Sequence, residues 1–398
     1  MQSNNLKSQF LINPGVTYLN FGSFGACSKP VFEDYQQWQF KLEQEAVQFI
    51  TVEGPKNLKK SREAIAHYIN CNADDVVFVT NPSYAINIVA KSFPLKQGDE
   101  ILSTNLEYGA LDRTWNYYCK KAGAKYIRQP ITLPAASKEK IIEDFFKGLT
   151  ENTKAIFISH ITSATALRLP VKEICEIAKQ KGLFTIVDGA HAPGHIALDL
   201  SELQADVYTG ACHKWMCTPK GCSFLVVKRE YQRLFDPLVI SWGYESAAPS
   251  ASKFLDYHQM QGTRDFSAFL TVPKAIEFFE ENNWPQRAAE CRNVAHSNYQ
   301  RFCDLFQTQP LAPISDEFLG QMCSIQIQTG EPEKLQRLLF EKYAIEIPVM
   351  RQDEKIFIRY SINVFNHQQD LDKLYNALTE IIAETNLIQL QTAVAEFS

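Results

Sequence analysis

Lys214 lies in the run Tyr208-Thr209-Gly210-Ala211-Cys212-His213-Lys214-Trp215, and Asp188 ends the apolar run Thr185-Ile186-Val187-Asp188. The spacing from Asp188 to Lys214 is 26 residues, room for one strand–helix–strand excursion that sets the two side chains on neighbouring strand ends. An amine and a carboxylate so placed suit a pyridine aldehyde. The amine condenses with the aldehyde as a Schiff base, and the acid keeps the ring nitrogen protonated so that the ring can take up the electrons of a carbanion. The pair therefore points to pyridoxal 5′-phosphate. A lysine after a strand is usually a solvated turn residue, but Cys212, Trp215 and Met216 give this one apolar neighbours. Such surroundings lower a lysine pKa and favour imine formation. Asp188 has a plainer reading as a helix N-cap. Beside a pyridinium, it is expected to stay ionised when buried.

The elements that must position this pair are legible as short apolar runs alternating with helical patterns from about residue 57 to 275. The strand candidates are Val76–Thr80, Glu100–Thr104, Lys125–Gln129, Ala155–Ser159, Phe184–Asp188, Asp206–Gly210 and Ser223–Lys228. Most are continuous apolar runs, as expected of strands covered on both faces. Helical patterns lie over Tyr84–Phe93, Leu111–Ala122 and Val171–Lys181. The fold class is therefore α/β, a mostly parallel seven-stranded sheet with right-handed crossovers. The turn before Ser223 is too short for a helix, so the last strand should run antiparallel. Beyond residue 275 the spacing predicts helices over Ala275–Phe306, Glu333–Tyr343 and Gln369–Thr385. It predicts strands over Gln321–Gln328, Glu346–Val349 and Lys355–Ser361. This yields a large domain over 57–275 and a smaller α+β domain over 276–398. The segment 1–56 is expected to pack on the small domain or on a partner subunit.

In an open parallel sheet, ligands gather at the carboxyl ends of the strands, where further candidates fall. Asn81-Pro82-Ser83 opens a helix, a place where free N–H groups suit a phosphate; an ordinary N-cap is the alternative. Tyr108 can stack on a cofactor ring or be a surface tyrosine at a helix start. Ser159, Thr162 and Ser163 offer small hydroxyls to a ring oxygen, or merely cap a loop. His191 can reach the same oxygen and His213 a phosphate, whereas His195 reads as structural. A polar loop, Gly262-Thr263-Arg264-Asp265, precedes a helix expected over Phe266–Phe279. Arg359 sits in an otherwise apolar strand and needs an acidic partner: a substrate carboxylate or an interdomain ion pair.

Composition narrows the function classes. The chain has 398 residues, 45% hydrophobic and 21% charged, and a net charge of −5. That suits a globular enzyme and argues against a nucleic-acid or anionic-membrane surface. No apolar run approaches the ~20 residues of a membrane span, and Met1–Lys7 has no signal-like apolar stretch, so a cytoplasmic location is expected. Ten cysteines are scattered and expected to be reduced. Cys212, Cys217 and Cys222 are evenly spaced, which is not a usual zinc pattern, so no metal is expected.

Asp188-Gly189-Ala190-His191, His213-Lys214, Gly262-Thr263-Arg264-Asp265 and Arg359-Tyr360-Ser361 together resemble fold-type I pyridoxal phosphate enzymes of the class V aminotransferase superfamily. The likeness runs from Tyr18-Leu19-Asn20-Phe21-Gly22-Ser23 to Ser361, nearest to the isopenicillin N epimerase-like branch, with cysteine desulfurases in the same superfamily. The resemblance implies Lys214 as the Schiff-base lysine and proton shuttle, Asp188 on the pyridine nitrogen, His191 near the ring oxygen and Tyr108 stacked on the ring. It implies that Ser83 and His213 hold phosphate and that Thr263 reaches the partner's phosphate across a homodimer with shared sites. Arg359 would bind the substrate carboxylate, and Asn20 and Gly22 would line the entrance. Phe21, Pro82 and Ala164 depart from the branch's usual histidine, alanine and proline. Cys323 reads as core and not as a sulfur-accepting cysteine. The expected activity is chemistry at the α-carbon of an amino acid, through a carbanion: epimerisation, with C–S lysis or transamination as alternatives. A catalytically silent cofactor-binding module is the non-enzyme alternative, against which the joint presence of lysine, acid and arginine argues.

Overall fold

A computed structural model of the chain describes residues 6–250 and 252–390; the outermost residues of the expected segments 1–56 and 276–398 lie outside that range. A two-residue strand, β1 (Thr17–Tyr18), leads into seven strands of one sheet. These are β2 (Val76–Val79), β3 (Glu100–Thr104), β4 (Lys125–Gln129), β5 (Thr153–Ser159), β6 (Phe184–Gly189), β7 (Val207–Ala211) and β8 (Ser223–Val227). Their order is β2-β8-β7-β6-β5-β3-β4. Only β8 runs against its neighbours, β2 and β7, as the short turn before it required. All seven expected strands are present, with ends displaced by at most two residues.

The continuous apolar runs are explained by cover on both faces. Along β2, Val77 and Val79 pack with Ile86, Val89 and Trp115, from the helices Pro82–Ser92 and Gly109–Ala122. Val76 and Phe78 point the other way, into a core that reaches the C-terminal elements. Phe78 stacks on Phe269 with ring centroids 5.2 Å apart.

The C-terminal part holds a three-stranded antiparallel sheet, ordered β11-β12-β9. Its members are β9 (Met322–Ile327), β11 (Val349–Gln352) and β12 (Lys355–Ser361), while β10 (Ile345–Glu346) pairs instead with β1. The N-terminal segment is thereby joined to this part. Three expectations are corrected. The strand expected over Glu346–Val349 is two short strands in different sheets, because Pro348 has no N–H to continue a ladder. The helix expected over Ala275–Phe306 breaks into Val272–Glu281 and Trp284–Leu305 at Asn283, whose φ of 48° is left-handed. Asparagine tolerates that conformation, and Pro285, which has no N–H to continue a helix through this point, fits the first turn of a new one. The helix expected over Phe266–Phe279 is likewise two pieces, Ser267–Leu270 and Val272–Glu281, with Pro273 just after the break.

Candidate active site

The carboxyl ends of β5, β6 and β7 form the floor. Asp188 lies in register with Ser159 on one side and Thr209 on the other. Its Oδ1 accepts from the Ala190 N–H at 3.0 Å. Gly189 follows because any Cβ there would sit 2.1 Å from the Tyr208 hydroxyl oxygen. Burial pushes the Asp188 carboxyl up, while the Ala190 N–H and the Lys214 ammonium oppose the shift. A cation on its outer side would complete its ionisation.

Lys214 occupies the turn between β7 and β8. The turn is closed by His213 N–H to Cys222 O at 3.0 Å and Cys217 N–H to Lys214 O at 3.2 Å. Cys212, Trp215 and Met216 are fully buried around it, as their apolar character led one to expect. Burial lowers the Lys214 pKa to about 8; Asp188 pulls it back up and Arg359 pushes it down. Its Nζ lies 3.1 Å from His191 Nε2. The backbone of Gly25 packs directly on the turn, for a Cβ there would fall 2.6 Å from Lys214 O.

Arg359 comes from the middle of β12 and is fully buried. Its Nη1 donates to Ser163 O at 2.6 Å and its Nη2 to Ser23 Oγ at 3.2 Å, leaving Nε without a partner. No carboxylate among the described residues pairs with it, so the interdomain ion pair is absent. Burial lowers its pKa to about 10. Gly22 stands against this guanidinium: a Cβ would be 3.1 Å from Nη2, and its N–H donates to Ser361 Oγ at 3.1 Å. Asn20, also buried, has an Oδ1 without a partner. Phe21 turns the other way and packs on Trp215 and Phe365.

The remaining candidates differ in how far they are committed elsewhere. Asn81 caps the helix Pro82–Ser92, its Oδ1 accepting from Tyr84 N–H at 2.8 Å; Pro82 is buried and Ser83 half-buried. Of the hydroxyls beyond β5, Ser159 is bound to Glu107 and Thr162 to Thr165 and Leu167, which leaves Ser163. His213 Nδ1 donates to Cys222 O at 2.9 Å, and burial lowers its pKa to about 4. Its Nε2 can therefore donate to an anion only as imidazolium. Tyr108 begins the helix Gly109–Ala122 and is 46% exposed. Thr263 is exposed on a loop whose Gln261 accepts from the Tyr84 hydroxyl at 3.0 Å. His195 is buried under Trp215, in keeping with a structural part, and Cys323 is core on β9.

Two participants were not anticipated. Glu107 is fully buried and accepts from Thr104 Oγ1 at 2.7 Å and Ser159 Oγ at 2.5 Å. Burial outweighs those hydrogen bonds and raises its pKa to about 8. An acid before a helix ordinarily reads as a solvated first-turn residue, so nothing local marked it. Gln352 of β11 donates to the carbonyls of Asn105 and Glu107, at 2.8 and 3.2 Å, and ties this loop to the C-terminal sheet.

A partly deprotonated lysine beside a buried acid, a helix start and an arginine lacking a carboxylate together fit a phosphorylated pyridine aldehyde and an amino acid. The class V aminotransferase family model matches residues 33–374. The isopenicillin N epimerase of Amycolatopsis lactamdurans is 30% identical over 95% of this chain and 98% of its own length. The L-cysteine desulfhydrase of Arabidopsis thaliana is 26% identical over 93% of this chain and 88% of its own length. Among solved structures, an apo cysteine desulfurase from Thermococcus onnurineus NA1 superposes with a TM-score of 0.81, at 18% identity, over 96% of this chain and 99% of that one. The cystine C–S lyase C-DES, in complex with cysteine persulfide, gives 0.80, also at 18% identity, over 92% and 98%. At that identity the structures establish a shared fold and no more.

Proposed function

Since the chain belongs to the class V aminotransferase family, we propose that it is a pyridoxal 5′-phosphate-dependent enzyme that labilises the α-hydrogen of an amino acid and inverts its α-carbon, as in isopenicillin N epimerase. The observation that carries this reading is Arg359, a buried guanidinium with no carboxylate partner among the described residues, close enough to Lys214 to depress its pKa. When bound, the cofactor supplies an electron sink for the bond broken at the α-carbon. Ser83 and His213 would hold its phosphate, Asp188 its ring nitrogen, His191 and Ser163 its ring oxygen, and Tyr108 its face.

Arg359 binds the substrate carboxylate through its free Nε edge and thereby orients the α-hydrogen. Asn20 and Gly22 line the approach, and Gly22 leaves the space that a side chain would take from the guanidinium. Lys214, with its pKa near 8, is an uncharged amine often enough at neutral pH to take the α-proton. Asp188 holds a proton at the ring nitrogen. Tyr108 returns a proton to the opposite face. In this reading residues 57–275 form the cofactor domain and 276–398 the domain that supplies Arg359, with 1–56 packing on the latter. Two copies share their sites through Thr263, in the cytoplasm. Among the described residues no helix is long and apolar enough to cross a membrane.

A second reading, C–S lysis of a cysteine-like substrate, is favoured by the half-exposed position of Tyr108, since elimination needs no acid on the far face. Incubation with a panel of L-amino acids in deuterated water separates the outcomes. Deuterium at the α-carbon with loss of optical purity supports inversion. Sulfide with pyruvate supports lysis, a keto acid supports transamination, and none of these with any amino acid would refute the enzyme reading.

A further inference from the structure

Trp215 follows the lysine directly and is fully buried. Its indole Nε1 donates to His191 Nδ1 at 3.3 Å. An indole N–H is a donor only, so this nitrogen of His191 carries no proton. Burial, helped by the nearby Lys214 and Arg359 charges, keeps the imidazole neutral. Its one proton is therefore on Nε2, which faces Lys214 Nζ at 3.1 Å. An N–H and an ammonium are both donors without a lone pair. The contact is a hydrogen bond only when Lys214 is the uncharged amine.

The indole is held from both sides. Its ring stacks on His195 with centroids 3.8 Å apart and planes at 18°, and it meets Phe21 at 5.0 Å. His195 is itself fixed, because Nδ1 donates to His191 O at 2.9 Å and Nε2 accepts from the Gln321 N–H at 2.5 Å. Two glycines make the close approaches possible. A Cβ at Gly194 would lie 2.4 Å from Trp215 O, and one at Gly320 would lie 2.2 Å from His195 Nε2.

We infer that Trp215 is a positioning residue for Lys214: it locks His191 in the Nε2–H tautomer, and His191 in turn stabilises the uncharged amine. This deepens the reading above by naming what prepares the base, and it makes Phe21 part of the support. Among the described residues Asp188 favours the ammonium; Arg359 and burial act with His191 against it.

The test uses the full chain without cofactor. Nitrogen-15 spectra of labelled histidine, assigned with His191→Gln, should report His191 as Nε2–H. Trp215→Phe keeps a ring against His195 and Phe21 but removes the N–H. In that variant the His191 signal should move towards the other tautomer. The pH midpoint of Lys214 acetylation by acetic anhydride should rise by about one unit, the tenfold worth of one hydrogen bond. Adding Trp215→Phe to His191→Gln should give no further shift. An Nδ1–H tautomer in the unsubstituted protein would overturn the inference even if the variant did not fold. So would an unmoved midpoint, or an equal shift in the His191→Gln background, which would mean that Trp215 acts by packing alone. A chain that never took up pyridoxal phosphate would end the functional reading and leave these measurements decisive.

Discussion

Two stretches close to the site are built on opposite principles. One, made of residues 188–195 and 206–219, is buried almost throughout, and its polar groups find partners within the same chain: Asp188 with Ala190, His191 with Lys214 and Trp215, His195 with Gln321, His213 with Cys222. From Asp236 to Asp265 the chain is left incomplete. Val239, Ile240, Trp242, Tyr244 and Met260 are large apolar side chains exposed to between 42% and 84%, and the buried Nε2 of Gln261 has no partner among the described residues. Unpaired apolar surface of this kind on one short stretch is characteristic of an interaction face. The contrast separates polar groups paired within one chain from apolar side chains left uncovered, the face on which the proposed homodimer would close.

The largest effects should come from breaking the self-contained stretch. Replacing Lys214 by alanine removes the amine that faces His191 Nε2 at 3.1 Å. Turnover should fall by at least ~10³-fold, the upper part of what one general base contributes. Unchanged α-exchange in deuterated water would reject Lys214 as the base. Arg359→Lys keeps a buried cation but loses the planar fork. KM for the amino acid should rise by roughly 10- to 100-fold, the worth of charge-assisted hydrogen bonds, with a smaller change in kcat. Steady-state kinetics that leave KM alone would assign Arg359 to holding Ser163 and Ser23 in place.

How much of this was legible follows from the range of each interaction. The seven main strands were readable because each run is covered on both faces and so is apolar at every position. The placement of Asp188 and Lys214 at neighbouring strand ends was readable because both follow such runs closely. The solitary state of Arg359 could not be read, since it depends on which residues of distant segments reach β12, and those turn out to be Ser23 and Ser163. The indole–imidazole contact joins neighbours in space that the alternation of apolar and polar residues does not encode. The breaks at Asn283 and Pro348 bent the predicted elements because a single left-handed residue, or one missing N–H, outweighs periodicity.

A subtler probe concerns Glu107, which sits behind the floor. Its folded pKa, about 8, lies above its ordinary value of 4.5. The protein therefore favours the protonated acid. That stabilisation is complete below the ordinary value and is lost as pH rises through about 8, on the order of a few kcal/mol. Glu107→Gln keeps a neutral group that can bond both hydroxyls. Denaturant titrations from pH 5 to 9 should show a decline for the native protein and a flatter profile for the variant. Equal slopes would mean that Glu107 is ionised throughout, held by Thr104 and Ser159.

The smallest effect on the single chain, and the sharpest test of the contrast, belongs to Trp242. At 84% exposed it contributes little to its own fold, so Trp242→Ser should alter unfolding free energy by no more than ~0.5 kcal/mol. If the exposed stretch is covered by a second copy, the same change removes a large aromatic from an interface, where such residues carry a disproportionate share of the binding energy. Sedimentation equilibrium should then show dimer association weakened by at least about tenfold, with monomer stability unaltered. A single-chain native protein, or an unweakened dimer in the variant, would instead make the exposed stretch an open surface. Thr263, which lies within it, would then have no partner subunit to reach. The two stretches would still differ in burial, but the difference would no longer divide the labour of one active site between two chains.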